Sequence, residues 1–117
     1  MTDTPSPLNA MQAEVGDALP QSHVDYAERD PDMFTAYLAW RATCLDSGAI
    51  TRTQKLLMVV AMLTAQKDSA PLRVYASIAR SEGATVEELK EALRVGVLFS
   101  GGAGIDAAAN VADLLDK

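Results

Sequence analysis

The pattern of apolar residues is strongest between residues 51 and 66, where Leu56 to Leu63 form an uninterrupted apolar run. The run is too short to cross a bilayer, which takes about 20 apolar residues. It also lacks the Gly or Pro residues that would bound a buried strand. Thr51 followed by Gln54 is typical of a capping box, which starts a helix. The pattern therefore predicts a helix that is apolar on all sides and must be covered by other helices or by a second subunit.

Helix start and stop signals recur along the rest of the chain. Asp30 and Pro31 predict a helix start, and Gly48 is predicted to end that helix as the first residue beyond it. Later signals are a helix end at Gly83, a second capping box at 85–88 and a break at Gly101-Gly102. The last helix is predicted to include Ala108 to Leu115. The predicted helices are a short one at 9–19 and five main ones that begin near residues 31, 51, 69, 85 and 103. Since no segment predicts a strand, the expected fold class is all-α, a single-domain bundle of about five to six helices.

The organisation along the chain follows from where polar and Pro-rich segments fall. Residues 1–20 begin with a Pro, Ser and Thr-rich stretch and are predicted to be a flexible N-terminal segment, apart from the short helix. Residues 20–32 are predicted to be a polar connector with about one helical turn. Residues 21–117 are expected to form one helical domain.

Composition narrows the possible functions. The net charge of −6 and the pI near 4.6 disfavour nucleic acid and anionic membrane surfaces as partners. No signal-peptide pattern opens the chain, so a cytoplasmic location is expected. Cys44 is the only cysteine, which excludes an intrachain disulfide. His23 is the only histidine, so we predict no metal site and no cofactor.

Two helices carry more apolar surface than a chain of 117 residues is expected to cover. They are the helix containing Leu56 to Leu63 and the one that contains Val95 to Phe99. Exposed apolar patches larger than a few hundred Å² usually mark interfaces. The pattern therefore predicts a homo-oligomer.

Four segments together resemble the carboxymuconolactone decarboxylase and alkylhydroperoxidase D-type family. They are GATVEELKEAL at 83–93, GAITRTQKLL at 48–57, DMFTAYL at 32–38 and the Gly pair at 101–102. Their order and spacing extend the resemblance over residues 31 to 115. It implies an all-helical fold that assembles as homotrimers or homohexamers, with active sites near subunit contacts.

The residues that carry chemistry in that family are replaced here. The peroxidase branch has Cys-x-x-Cys-x-x-x-His, and the resemblance aligns Asp68, Pro71 and Tyr75 with its two cysteines and its histidine. The family's glutamate aligns with Leu56, and the decarboxylase branch also has a histidine at the position of Tyr75. The resemblance thus implies the fold of the family but neither of its familiar activities.

A candidate ligand site lies where the central apolar helix ends and the helix of Tyr75 begins. A helix start at Asp68 and Ser69 offers N–H groups to an anionic group, while the Tyr75 hydroxyl could donate a hydrogen bond. Lys55 is a further candidate, and Leu56 with its neighbours is expected to form an apolar wall. The predicted ligand is small, acidic and partly apolar. The alternative is that Tyr75 is a packed core residue and that the polar residues lie at helix ends on the surface.

Three functions remain open from the sequence. One is an oligomeric binding or structural protein, and the second is a lyase or isomerase that acts on a small acid or lactone around Tyr75. The third is a peroxidase that depends on Cys44. We expect Cys44 to be a small buried hydrophobe and His23 to be exposed. A cavity around Tyr75 and the exposure of Cys44 would distinguish the three.

Overall fold

The structure of the protein is a computed structural model that describes residues 7–116. Within that range the chain forms helices and turns and no strand, so the predicted all-α class is confirmed. Seven α-helices are found there: α1 (Pro7–Val15), α2 (Gln21–Arg29), α3 (Pro31–Leu45), α4 (Arg52–Ala65), α5 (Ser69–Ser81), α6 (Val86–Ser100) and α7 (Gly102–Ala109). Two 3₁₀ helices follow α1 and α7, at Gly16–Ala18 and Ala112–Leu115.

The helix count exceeds the prediction because the supposed connector at 20–32 contains α2. Pro20 lies in an extended conformation immediately before this helix, and Asp30 ends it. This helix is only nine residues long and its residues are on average polar, although its few apolar residues share one face. A short and mostly polar segment is easily taken for a connector, because only a small part of it is apolar.

The predicted helix starts are confirmed by side-chain caps. Thr51 and Thr85 each take part in a complete capping box, with Gln54 and Glu88 respectively. The Asp30 carboxylate accepts a hydrogen bond from the Met33 N–H at 3.2 Å. These caps satisfy N–H groups that have no partner within the helix, which is why so short a sequence signal determines where a helix begins.

The predicted helix ends are partly right. Gly83 has a φ of 107° immediately after α5 and its C-cap, and Gly101 has a φ of 62° between α6 and α7. Gly48 does not end α3, because that helix stops at Leu45 with an extended Asp46 as its C-cap. The last helix is also shorter than predicted, since α7 ends at Ala109 and the chain continues as a 3₁₀ turn.

The chain divides into two compact units, one ending at Asp46 and the other beginning at Ser47. In the first, α1, α2 and α3 pack against one another. Its apolar core consists of Met11, Val15, Ala27, Phe34 and Leu45. Arg41 is buried in this unit and donates to Glu14 at 2.7 Å, which gives the buried charge a partner. Residues 1–6 lie outside the described part, and the predicted flexibility and domain boundary at residue 20 stay predictions.

The second unit is built around α4, which packs against α5 and α6, while α7 packs mainly against α6 and also contacts α4 and α5. Its core cluster comprises Val60, Leu72, Ala76, Leu89, Leu93, Ala107 and Val111. Gly96 allows α4 and α6 to approach closely. A Cβ atom on Gly96 would lie 2.4 Å from Thr64 Cβ and 2.6 Å from the Ala61 carbonyl oxygen.

The helices of the second unit do not cover the central helix α4 on all sides. Leu56, Val60 and Thr64 are fully buried along one stripe, whereas Met58 and Met62 on the same helix are more than half exposed. The spacing of four residues explains this, because i and i+4 share a face of a helix. The neighbouring helices of the unit thus leave one apolar side of α4 exposed.

Candidate functional site

The predicted ligand site begins at the first turn of α5. Asp68 precedes the helix, is exposed, and makes no side-chain cap hydrogen bond. Ser69 is half-buried, and its Oγ accepts a hydrogen bond from Asn110 Nδ2 at 3.2 Å. The Asp68 side chain therefore leaves the N–H groups of the helix start uncapped, as anion binding would require.

Arg73, one turn further along α5, is held by the segment that follows α7. Its guanidinium donates to both carboxylate oxygens of Asp113, at 2.5 and 2.7 Å. It also donates to the Asn110 carbonyl oxygen at 3.0 Å. The hydrogen bond to Asp113 is the main cause that raises the pKa of Arg73. Arg73 is thus engaged in an ion pair beside the helix start, and an incoming anion would compete with Asp113 for it.

Tyr75 lies in the middle of α5, about 9 Å along the helix axis from Ser69 at 1.5 Å per residue. It is half-buried and packs against the core cluster of the second unit. This packing agrees with the alternative that Tyr75 is a core residue. Leu56, which was expected to help form an apolar wall, is fully buried. An open pocket wall would therefore have to come from other side chains.

Lys55 lies at the opposite end of the α4–α5 hairpin from Asp68. Arg52 Nε donates to Glu82 Oε1 at 2.7 Å, so the start of α4 lies beside the end of α5. The ten residues from Lys55 to the end of α4 span about 15 Å. The structure thus brings Asp68 and Ser69 together and keeps Lys55 apart from them. Ligand binding by any of the four candidates stays a prediction.

Cys44 is exposed, which corrects the expectation of a small buried hydrophobe. It lies seven residues beyond Tyr37 on α3, about 10 Å along the helix axis. The ring of His23 contacts Tyr37, so the imidazole lies well removed from the thiol along the helix. Among the described residues, no group of three or more His, Cys, Asp and Glu side chains has the arrangement of a metal site.

A pocket that the sequence analysis missed lies in the first unit, between α2 and α3. It has a volume of about 440 Å³. Its lining residues are Ser22, His23, Tyr26, Met33, Phe34 and Tyr37. His23 is half-buried rather than exposed, and its ring meets Phe34 edge-on at a centroid distance of 6.1 Å. Burial first, and the charge of Arg41 second, lower the pKa of His23. The pocket was missed because it requires α2, and the sequence analysis had assigned residues 20–32 to a polar connector.

A groove of about 410 Å³ lies between α4 and α6 in the second unit. Its lining residues are Gln54, Leu57, Met58, Ala61, Glu88, Glu91, Ala92 and Val95. Beside it, Met62, Leu98 and Phe99 are exposed. We call the set Met58, Met62, Val95, Leu98 and Phe99 the α4–α6 face. None of the helices among residues 7–116 is both long and apolar enough to span a membrane.

Comparison with known proteins agrees with this fold. The model of the carboxymuconolactone decarboxylase family matches residues 31–114. A crystal structure from Burkholderia xenovorans LB400, provisionally named a carboxymuconolactone decarboxylase, is similar with a TM-score of 0.70 and 25% sequence identity. The similarity covers 89% of this chain and 84% of that one. No curated protein matches the chain. Because the family model spans well over half of the sequence, the chain belongs to the carboxymuconolactone decarboxylase family.

Proposed function

We propose that this protein is a self-associating member of the family, with a binding or structural role that uses no thiol redox chemistry. The observation that carries the proposal is the exposed α4–α6 face. Phe99 and Leu98 are 83% and 76% exposed, although both are large and apolar. Side chains of this type are rarely left in water as a contiguous group unless another surface covers them.

The size of the face supports an interface. All five side chains are more than half exposed, so together they form a patch of roughly 500 Å², which lies in the range of functional patches on soluble proteins. Met58 of α4 and Val95 of α6 are linked in space, because they line the same groove. Val95, Leu98 and Phe99 share a side of α6 through their spacing of three and four residues.

The surroundings of the face favour a second copy of the chain as its occupant. Gln54, Glu88 and Glu91 border the groove, which gives an apolar centre with a polar edge. The family resemblance implies a homotrimer or homohexamer. In such an assembly the apolar contact would have to outweigh the mutual repulsion of subunits with a net charge of −6 each.

The side chains at the family's reactive positions support a role without thiol chemistry. Leu56 is buried and cannot transfer a proton, and Tyr75 packs against the core. Cys44 has no second cysteine to form a disulfide within the chain. An enzyme acting on a small acid or lactone is the alternative, which the family's name favours. A peroxidase based on Cys44 is favoured only by the exposure of that thiol.

Light scattering coupled to gel filtration tests the proposed self-association. A mass of three or six times 12.4 kDa at micromolar concentration is the expected result. A stable monomer of 12.4 kDa under the same conditions would overturn the proposal.

A further inference from the structure

The pocket between α2 and α3, which we call the α2–α3 pocket, offers mainly apolar surface because its polar side-chain atoms already have partners. Ser22 Oγ and His23 Nδ1 are hydrogen-bonded at 3.3 Å, and His23 Nε2 and Tyr37 Oη at 3.5 Å. The Tyr26 hydroxyl donates to Asp30 Oδ2 at 2.9 Å. An apolar occupant can therefore enter the pocket without leaving these groups unpaired.

The walls of the α2–α3 pocket suit an aromatic side chain. The rings of His23, Phe34 and Tyr37 are tilted against one another, with centroid distances of 5.6 to 6.1 Å. Aromatic rings prefer such tilted contacts, and the thioether of Met33 adds a further favourable contact for a ring. The volume of about 440 Å³ leaves room for the side chain of a phenylalanine with that of a neighbouring leucine.

The exposed apolar side chains of the described residues concentrate on two surfaces. Ten large apolar residues are exposed there, and five of them form the α4–α6 face. Three others, Tyr26, Met33 and Trp40, lie in or beside the α2–α3 pocket, since the ring of Trp40 contacts Tyr37 at a centroid distance of 6.2 Å. Pairing of the α4–α6 face with itself would leave these three in water. Contact between the two surfaces on neighbouring copies would cover both.

The groove between α4 and α6 is a poorer receptor for an apolar side chain than the α2–α3 pocket. Glu88 and Glu91 line that groove, so an inserted side chain would take carboxylates out of water, which is costly. The lining of the α2–α3 pocket, by contrast, contains no Asp, Glu, Lys or Arg. An apolar side chain is therefore accommodated at lower cost in the α2–α3 pocket.

The charges beside the two surfaces are complementary. Asp25 and Asp32 are exposed and directly precede Tyr26 and Met33 of the pocket. Arg94 is exposed four residues before Leu98, and thus lies on the same side of α6. Opposite charges at the edges of an apolar contact favour association in one orientation.

We propose that copies of this chain associate head to tail, with Leu98 and Phe99 of one copy inserted into the α2–α3 pocket of the next. The inference rests on the proposed self-association and names the two surfaces that meet. Together the five side chains of the face and the three at the pocket expose roughly 850 Å². Because about 60% of an interface is apolar, the whole contact would bury about 1,400 Å², which is within the usual range of about 1,200–2,000 Å².

Trp40 reports on the pocket in the wild-type chain, because it is the only tryptophan and is 64% exposed. Its fluorescence should shift to shorter wavelength over the same concentration range in which light scattering shows assembly. An assembly that forms without any change in this fluorescence would overturn the inference and leave the proposed self-association standing. A wild-type chain that stays monomeric would overturn both.

A charge placed in the pocket tests the same contact from the other side. Met33 is 53% exposed, so Met33→Lys should leave the helices of the first unit intact, which circular dichroism checks. We expect its dissociation constant to rise by about 10-fold or more, as for Phe99→Lys. Thr35→Lys is the matched control, because Thr35 is exposed on another side of the same helix and does not line the pocket. Folded Met33→Lys that assembles as tightly as this control would refute the inference.

Mixing the two variants decides whether the face and the pocket meet each other. Phe99→Lys retains an intact pocket and Met33→Lys an intact face, so a heterologous contact can still form between them. At a concentration where each variant alone is monomeric, the equimolar mixture should contain a complex of at least two chains. Both variants carry the same added charge, so attraction between the new lysines cannot produce the complex. A mixture that stays monomeric at 12.4 kDa, while the wild type assembles under the same conditions, would refute the inference.

Discussion

Phe99 offers the sharpest test of the α4–α6 face, because its side chain is largely exposed and contributes little to the packing of the single chain. Phe99 is 83% exposed and is the penultimate residue of α6. Phe99→Lys should therefore leave the fold of the single chain intact. A lysine in the last turn of a helix also interacts favourably with the helix dipole. The substitution removes apolar surface from the proposed interface and places a charge there.

The magnitude follows from the exposed area. A phenylalanine side chain buries roughly 150–250 Å² when fully covered, so about 160 Å² of this ring is available to a partner. At about 25 cal/mol per Å², covering that area contributes up to about 4 kcal/mol for each subunit. Because interfaces recover only part of such area-based energies, we expect the dissociation constant to rise by about 10- to 100-fold.

Sedimentation or light scattering over a dilution series measures this shift, and circular dichroism checks that helicity is retained. Ile50→Lys is a suitable control, since Ile50 is 42% exposed and lies outside the α4–α6 face. The control should associate like the wild type. If Phe99→Lys assembles as tightly as the wild type while remaining folded, the face is not an interface. If both variants dissociate equally, the effect is one of charge and not of this surface.

Four further changes have expected outcomes. Gly96→Ala should lower the free energy of unfolding by about 1–3 kcal/mol in urea titrations, because the added methyl group meets α4. Gly102→Ala, where a Cβ atom has open space, should not; equal effects would contradict the close approach. Because burial lowers the pKa of His23, the unfolded chain binds a proton first as the pH falls. The stabilisation from neutral His23 is therefore complete above about pH 6.5 and is lost as the pH falls through the folded-state pKa. The wild type should accordingly lose more stability between pH 7.5 and 5.5 than His23→Gln, and equal losses would argue against burial of the ring. A hydroperoxide assay with a dithiol reductant should give background rates, whereas turnover abolished by Cys44→Ser would favour a peroxidase. For a small acidic ligand found by screening, Tyr75→Phe should weaken binding by about 1 kcal/mol if that ligand uses the predicted site at α5; unchanged affinity would count against that site.

Local sequence determined where most helices begin and end. The capping boxes at Thr51 and Thr85 and the positive φ of Gly83 and Gly101 involve residues within four positions of each other. The hydrogen bonds and backbone conformations that stabilise these helix ends involve only one turn of helix, so a single sequence is enough to predict them. The same holds for the all-α class, which follows from the lack of any strand pattern.

Tertiary structure decided which faces of those helices are buried and which residues meet. In the run from Leu56 to Leu63 every residue is apolar, so periodicity cannot distinguish the buried Val60 from the exposed Met62. The antiparallel course of α4 and α5 separates Lys55 from Asp68, although the sequence analysis placed both residues in one candidate ligand site. His23 became part of an aromatic pocket because α2, which lies in the supposed connector, packs against α3. Burial and proximity between distant segments depend on how whole helices pack, and that information is not contained in any single turn of the chain.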